Sequence, residues 1–369
     1  MENRQSAERY YDLDWIRVFA IILVFLFHCS MFFNTFPWHV KNNELDDQYF
    51  VALNVLLGTW IMPLFFVISG MSTFHSLKKR SGVVFIKERY IRLGIPLLLG
   101  VFFLSPPQVY IERLTLGQFK GSFLEFIPHA FDGLYLSIGG SGNLAFVGLH
   151  LWYLFLLIIF TTLLLPILLL GKHTKIENRP FNITHIIWLA IPLIILSLFV
   201  DLVNLGGWDI LFYFIIFLFG YYFLVRTDFR KLLRKYGIPI GIISLLTSAT
   251  YVWLFFEQQH GTIIFHSVKV VNCLSWLLFV FYLGDRFLNK DNFVLKYCSE
   301  ATMPFYIIHQ PVIVILGYYM INLQMNIVVK YLLLSVISFS LIISIYHFLI
   351  KPTHLLRPFF GLKSNDKTA

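Results

Sequence analysis

Long uncharged runs constrain this chain more than any other feature. Leu149–Leu170 and Ile183–Val200 carry almost no charge over about the length needed to cross a ~30 Å hydrocarbon core. In lipid every backbone polar group must be satisfied within the protein, which leaves helical bundles and closed barrels. The runs are continuous rather than alternating, which argues against a barrel. A composition of 58% hydrophobic and 13% charged residues, with 40 Phe, agrees with the helical reading. The expected fold is all-α: a polytopic transmembrane bundle forming one domain over residues 1–369.

Apolar runs and the basic segments between them set about ten spans, at about 14–36, 51–76, 93–111, 149–170, 183–203, 210–225, 237–256, 264–284, 299–321 and 327–350. Lys78-Lys79-Arg80, Arg226–Lys235 and Asp285–Lys296 read as basic loops, Asn204–Asp209 as a tight turn, and Gly139-Gly140-Ser141-Gly142 as part of the longest connection. Lys and Arg crowd the loops on one side, while the opposite loops hold only Lys41, Arg113 and Lys120. That bias puts both termini in the cytoplasm. It also gives the formal charge of +9 a membrane origin, so no nucleic acid partner is expected. Cys29, Cys273 and Cys298 form no C-x-x-C or similar spacing, so neither a disulfide framework nor a metal site is indicated. The first hydrophobic stretch is too long for a cleavable signal and lacks a small-x-small site.

The first span carries the sharpest functional signal. Arg17 and His28 are eleven positions apart, close to three helical turns, so they share a face about 16 Å apart along the axis. Ionisable groups inside a membrane face a bundle interior or an aqueous cavity. His28 serves either as a packing histidine or as a general base for a hydroxyl acceptor. His309, about ten residues into the ninth span, falls at a similar depth, and the pair also fits axial ligation of a haem. Arg89 and Arg92, at i and i+3, read either as positive-inside anchors or as a phosphate clamp completed by Arg17. Pro63-Leu64-Phe65-Phe66-Val67-Ile68-Ser69-Gly70 marks a kinked or broken span. His150, Trp152 and Tyr153 read either as an interfacial belt or as a sugar-stacking platform.

Taken together these residues resemble the integral-membrane acyltransferases that include O-antigen acetylases and periplasmic-glucan succinylases. The resemblance rests on Arg17/His28, Phe65–Gly70, Arg89/Arg92/Pro96, His150-Leu151-Trp152 and Tyr306–His309, and it runs from the first span to the ninth. It is greatest to the glucan-succinylase branch, which has ten spans and no appended extracytoplasmic domain. The resemblance implies transfer of an acetyl or succinyl group from cytoplasmic acyl-CoA to a hydroxyl of a cell-envelope glycan, in the inner membrane. It implies that His28 is catalytic, with His309 and Glu300 supporting it. Arg17, Arg89, Arg92 and Ser69 would bind acyl-CoA, and His150, Trp152 and Tyr153 the glycan. Direct attack is expected, because no serine or cysteine stands out as a nucleophile and Cys29 points about 100° away from His28. The expected partners are the bilayer, acyl-CoA and a glycan or lipid-linked saccharide, with oligomerisation left open. The rival reading is a multi-span exporter of a glycan or small metabolite, for which kinked helices and buried histidines would serve equally.

Overall fold

The computed structural model describes residues 10–132, 148–173 and 175–363, so the glycine-rich 139–142 stretch and the outermost basic residues lie outside the described part. The described residues are mostly helical, with little strand. Seven helices among the described residues are long and apolar enough to cross a membrane. These are α1 (Tyr11–Met31), α2 with α3 (Tyr49–Lys79), α4 (Gly82–Thr115), α9 (Thr227–Phe256), α10 (Ile263–Phe287), α11 (Phe293–Met320) and α12 (Ile327–Ile350). A bent pair, α5 (Trp152–Leu163) and α6 (Leu165–His173), makes an eighth if counted as one span. Two shorter apolar helices, α7 (Ile183–Phe199) and α8 (Ile210–Tyr222), cover the remaining expected segments.

Several expected boundaries move, each for a local reason. The second span breaks in two, α2 (Tyr49–Gly58) and α3 (Ile61–Lys79), at Thr59-Trp60. Pro63 then falls in the first turn of α3, where a missing N–H costs least. The 149–170 span bends by 64° at Leu164. Pro166 has no N–H to continue the ladder there, and carbonyls around the bend are taken by Tyr221 Oη (to Leu168 O, 2.6 Å) and Tyr222 Oη (to Ile167 O, 2.7 Å).

The basic stretches expected as loops are partly helical. Ser81 caps α4, which therefore begins well before residue 93. Arg226–Lys235 becomes the first turns of α9 because its charges find partners: Arg230 bridges Asp12 (2.8 Å) and Asp285 (2.7 Å), and Arg234 Nε reaches Asp285 at 2.7 Å. The Asn204–Asp209 turn is a two-residue hairpin, β1 (Asn204–Leu205) against β2 (Trp208–Asp209). Gly206 and Gly207 both take positive φ at its tip, which glycine alone adopts without steric cost.

Close helix pairings build the core. α1 lies against α11, α10 and α3, while α3 packs along α8. The α3–α8 contact depends on Gly70 and Gly220. A Cβ on Gly70 would lie 2.1 Å from Phe217 O, and one on Gly220 would lie 2.3 Å from Val67 O. Small residues at facing positions let two membrane helices approach to backbone contact. This packing seats Phe66, fully buried, among Tyr153, Phe160 and Tyr213.

Candidate active site

The site has two halves that meet at Tyr306. The first is a cavity of about 480 Å³ opening on the basic face of the bundle. α1 contributes Arg17, α3 contributes Phe65, Ser69 and Ser72, and α4 contributes Arg89 and Arg92. Tyr153 and Tyr306 line it as well. Arg17 is anchored by Asp14 (3.0 Å) and by the Ser72 hydroxyl. Arg89 donates to Thr73 Oγ1 at 2.8 Å and lies over the Phe85 ring. No ion pair neutralises Arg89 or Arg92 among the described residues. Arg92 falls within a π-helical turn, Tyr90–Gly94, that lies against the C-terminal segment. Two guanidinium groups lining one cavity without carboxylate partners suit a ligand rich in phosphate oxygens.

The second half is a group of three histidines from three helical segments: His28 on α1, His309 on α11, and His150 on a short turn just before α5. His309 Nε2 lies 3.0 Å from His28 Nδ1, and the ring centroids of His150 and His309 are 5.0 Å apart. Carbonyl oxygens only accept, so they fix the protons. His309 Nδ1 is 2.6 Å from Tyr306 O, so Nδ1 carries the hydrogen and Nε2 is a bare lone pair. His28 Nδ1 faces that lone pair and, at 3.0 Å, Val24 O, so it too carries its hydrogen. Among the described residues no partner meets His28 Nε2, which is left as an acceptor. It can take a proton without any partner moving, which is the property a general base needs. Mutating His309 to alanine should lower turnover about tenfold to hundredfold and leave donor affinity unchanged, because Val24 O still holds the His28 tautomer while the ring loses its lateral support. Steady-state kinetics beside a donor-binding assay checks this, and a loss as deep as that of a His28 variant would contradict it.

Tyr306 joins the halves. Its ring lines the cavity, its carbonyl holds His309, and its hydroxyl donates to His150 O at 2.5 Å. His150 Nε2 in turn donates to Ile307 O (3.1 Å), while His150 Nδ1 is buried without a partner among the described residues.

The remaining candidates are placed as follows. Ser69 lines the cavity and its hydroxyl bonds Tyr153 Oη at 2.7 Å, which puts Tyr153 on the arginine side rather than with a sugar platform. Trp152 packs against Phe66 and Tyr213 in the bundle. Glu300 stands apart from the histidines: Arg357, 6% exposed, donates to it at 2.9 Å while also binding Lys351 O and Lys363 O. It thereby pins the segment after α12, and Gly361 of that segment lines the cavity.

A further polar group was not foreseen from the sequence. His39, half-buried, pairs through Nδ1 with the buried Glu112. Gln108 Nε2 donates to Leu104 O (2.7 Å), so its oxygen accepts from Gln310 Nε2 (3.0 Å), whose second hydrogen goes to His39 Nε2 (3.1 Å). Gln310 follows His309 directly, so this network adjoins the histidine group. No local sequence signal marks this network, because its partners are 73 to 271 positions apart.

A multi-span helical protein with a cationic cavity beside a group of buried histidines has the outline expected of a membrane acyl-transfer enzyme. A family model described as an acyltransferase domain matches residues 10–347, and the chain belongs to that acyltransferase family. It is similar to proteins named glucans biosynthesis protein C from Salmonella typhi and Salmonella typhimurium (strain LT2), 24% identical over 85% of this chain and 84% of theirs. The counterpart from Salmonella paratyphi B gives the same figures. No solved structure matches the chain.

Proposed function

We propose that this protein transfers an acetyl or succinyl group from cytoplasmic acyl-CoA to a hydroxyl of an extracytoplasmic glucan or related glycan, in the cytoplasmic membrane of a bacterium. The observation that carries the reading is the line from Arg89 and Arg92 along one cavity to Tyr306, whose carbonyl orders His309 and through it His28. In this reading the arginines hold the CoA phosphates and the thioester lies at the Tyr306 end. The acceptor hydroxyl gives its proton to His28 Nε2 as its oxygen attacks the thioester carbonyl. The tetrahedral intermediate expels CoA thiolate, and the imidazolium returns the proton to sulfur. An ester, free CoA and the original tautomer result. Cys29, next to His28, is fully buried, which favours direct attack over an acyl-cysteine.

The glycan part of the proposal rests on the relatives' printed name and on the hydroxyl chemistry that an imidazole base serves. The test is binding of acetyl-CoA and succinyl-CoA to purified protein. Arg89 lines the cavity without an ion-pair partner among the described residues, and a hydrogen bond to a charged group contributes about 1.5–3 kcal/mol. Arg89→Ala should therefore weaken donor binding tenfold or more, whereas His28→Ala should not. Absence of binding to either thioester would favour an exporter that consumes no donor.

A further inference from the structure

The donor cavity does not include His28, so an acceptor must reach the imidazole by another route. Three rings lie against His28 from outside that cavity, Phe27, His309 and Trp38, and Trp38 is the one in the segment beyond the helix. The centroids of His28 and Trp38 are 6.4 Å apart with planes inclined by 27°. Trp38 is partly exposed and lies in the segment after α1, at the end of the bundle opposite Arg17.

That segment is held at every side. Lys41 Nζ caps the end of α1 through Met31 O (2.5 Å), Asn34 O (2.9 Å) and Asn34 Oδ1 (3.0 Å). Asn34 Nδ2 and Ser30 Oγ both donate to Asn54 Oδ1 at 2.7 Å, which ties the same segment to α2. His39 is clasped between Glu112 on α4 and Gln310 on α11. Trp38 thus sits in a segment whose neighbours on both sides are fixed by charged and amide hydrogen bonds. Rigid platforms keep the binding energy that a mobile ring would lose to ordering.

We propose that Trp38 is the acceptor platform: a sugar ring of the glycan stacks on the indole and presents its hydroxyl to His28 Nε2, while the His39–Glu112 pair positions the platform. This rests on the acyl-transfer reading above and names the acceptor's place in it. It assigns a saccharide rather than a fatty alcohol, because a flat aromatic face beside a polar network recognises a ring with an apolar face and hydroxyl edges. The platform contacts substrate. His39 and Glu112 are positioning residues, since Gln310 already occupies His39 Nε2.

The test uses full-length protein in detergent, with a short glucose oligomer as acceptor and acetyl-CoA or succinyl-CoA as donor. Trp38→Ala should raise acceptor KM tenfold or more and leave donor Kd at the wild-type value. Trp38→Tyr should recover most of the loss. Glu112→Gln should raise acceptor KM by a smaller factor with kcat nearly kept. Size-exclusion profiles of the variants show whether each is folded. A wild-type acceptor KM in folded Trp38→Ala would overturn the platform, as would an equal loss of donor affinity. Failure of wild-type protein to bind either donor would overturn the acyl-transfer reading itself, a different result from an unchanged acceptor KM with donor binding intact.

Discussion

His28→Gln is expected to lose transfer by a factor of about 10³ or more while binding donor as tightly as wild type. Glutamine is the sharper substitution than alanine because it approximates the shape of the ring. Its amide N–H can still donate toward His309 Nε2 or Val24 O, the two contacts His28 makes at 3.0 Å. What it cannot do is accept a proton at the position of Nε2. General base catalysis contributes about 10²–10⁴ in rate, which corresponds to roughly 3–5 kcal/mol of barrier. The fold should survive, since neither contact is a salt bridge and one lies within α1 itself. Donor affinity should survive because His28 is not part of the cavity wall. Turnover and donor binding measured on the same preparation decide the matter. Retained turnover removes the base assignment, and a parallel loss of donor affinity reassigns His28 to the donor site.

The residues that were legible beforehand are those whose geometry is internal to one helix or set by depth. Arg17 and His28 share a face because eleven residues is nearly three turns, and both were placed by counting. His309 was placed by its distance into a span, and its ring lies against His28. The triplet His150, Trp152 and Tyr153 does not present one shared face, for an equally local reason. Neighbouring helical residues point about 100° apart, so His150 turns to His309, Trp152 to Tyr213, and Tyr153 to Ser69. Glu300 illustrates a different limit. Its partner Arg357 comes from beyond the last helix, and no periodicity within one span reveals a contact across 57 positions. The His39–Glu112–Gln310–Gln108 network is of the same kind, since four elements must assemble before any of its bonds exist.

The basic face and the histidine group communicate through backbone as well as side chains. Tyr306 spans the boundary, with its ring in the cavity and its carbonyl on His309. In the proposed reading the donor and acceptor halves share α11, and the transferred group would pass the Tyr306 ring to reach a hydroxyl activated by His28. The wall opposite α11 in that cavity is α3, which carries Phe65, Ser69 and Ser72. Its placement depends on how closely it approaches α8.

Gly70→Val is expected to remove folded protein altogether. The first new carbon would lie 2.1 Å from Phe217 O and 2.9 Å from Tyr221 N, and both are backbone atoms of α8 that no rotamer change can move. Gly220 closes the same contact from the other side, 2.3 Å from Val67 O. The helices would have to part by more than an ångström along their whole contact. Overpacking of a core typically costs about 1–3 kcal/mol when side chains can yield; here only backbone can, and the loss should exceed that range. Separation of α3 from α8 would also unseat Phe66 from Tyr213 and draw Ser69 away from Tyr153, so any surviving fraction should bind donor poorly. Gly94→Ala is the control, since a Cβ there meets no atom within 4 Å. Detergent size-exclusion yield and thermal stability compared across wild type, Gly94→Ala and Gly70→Val make the test. A monodisperse Gly70→Val protein melting with the wild type would show that the two glycines do not set the helix separation, and the donor cavity would then need another explanation for its shape.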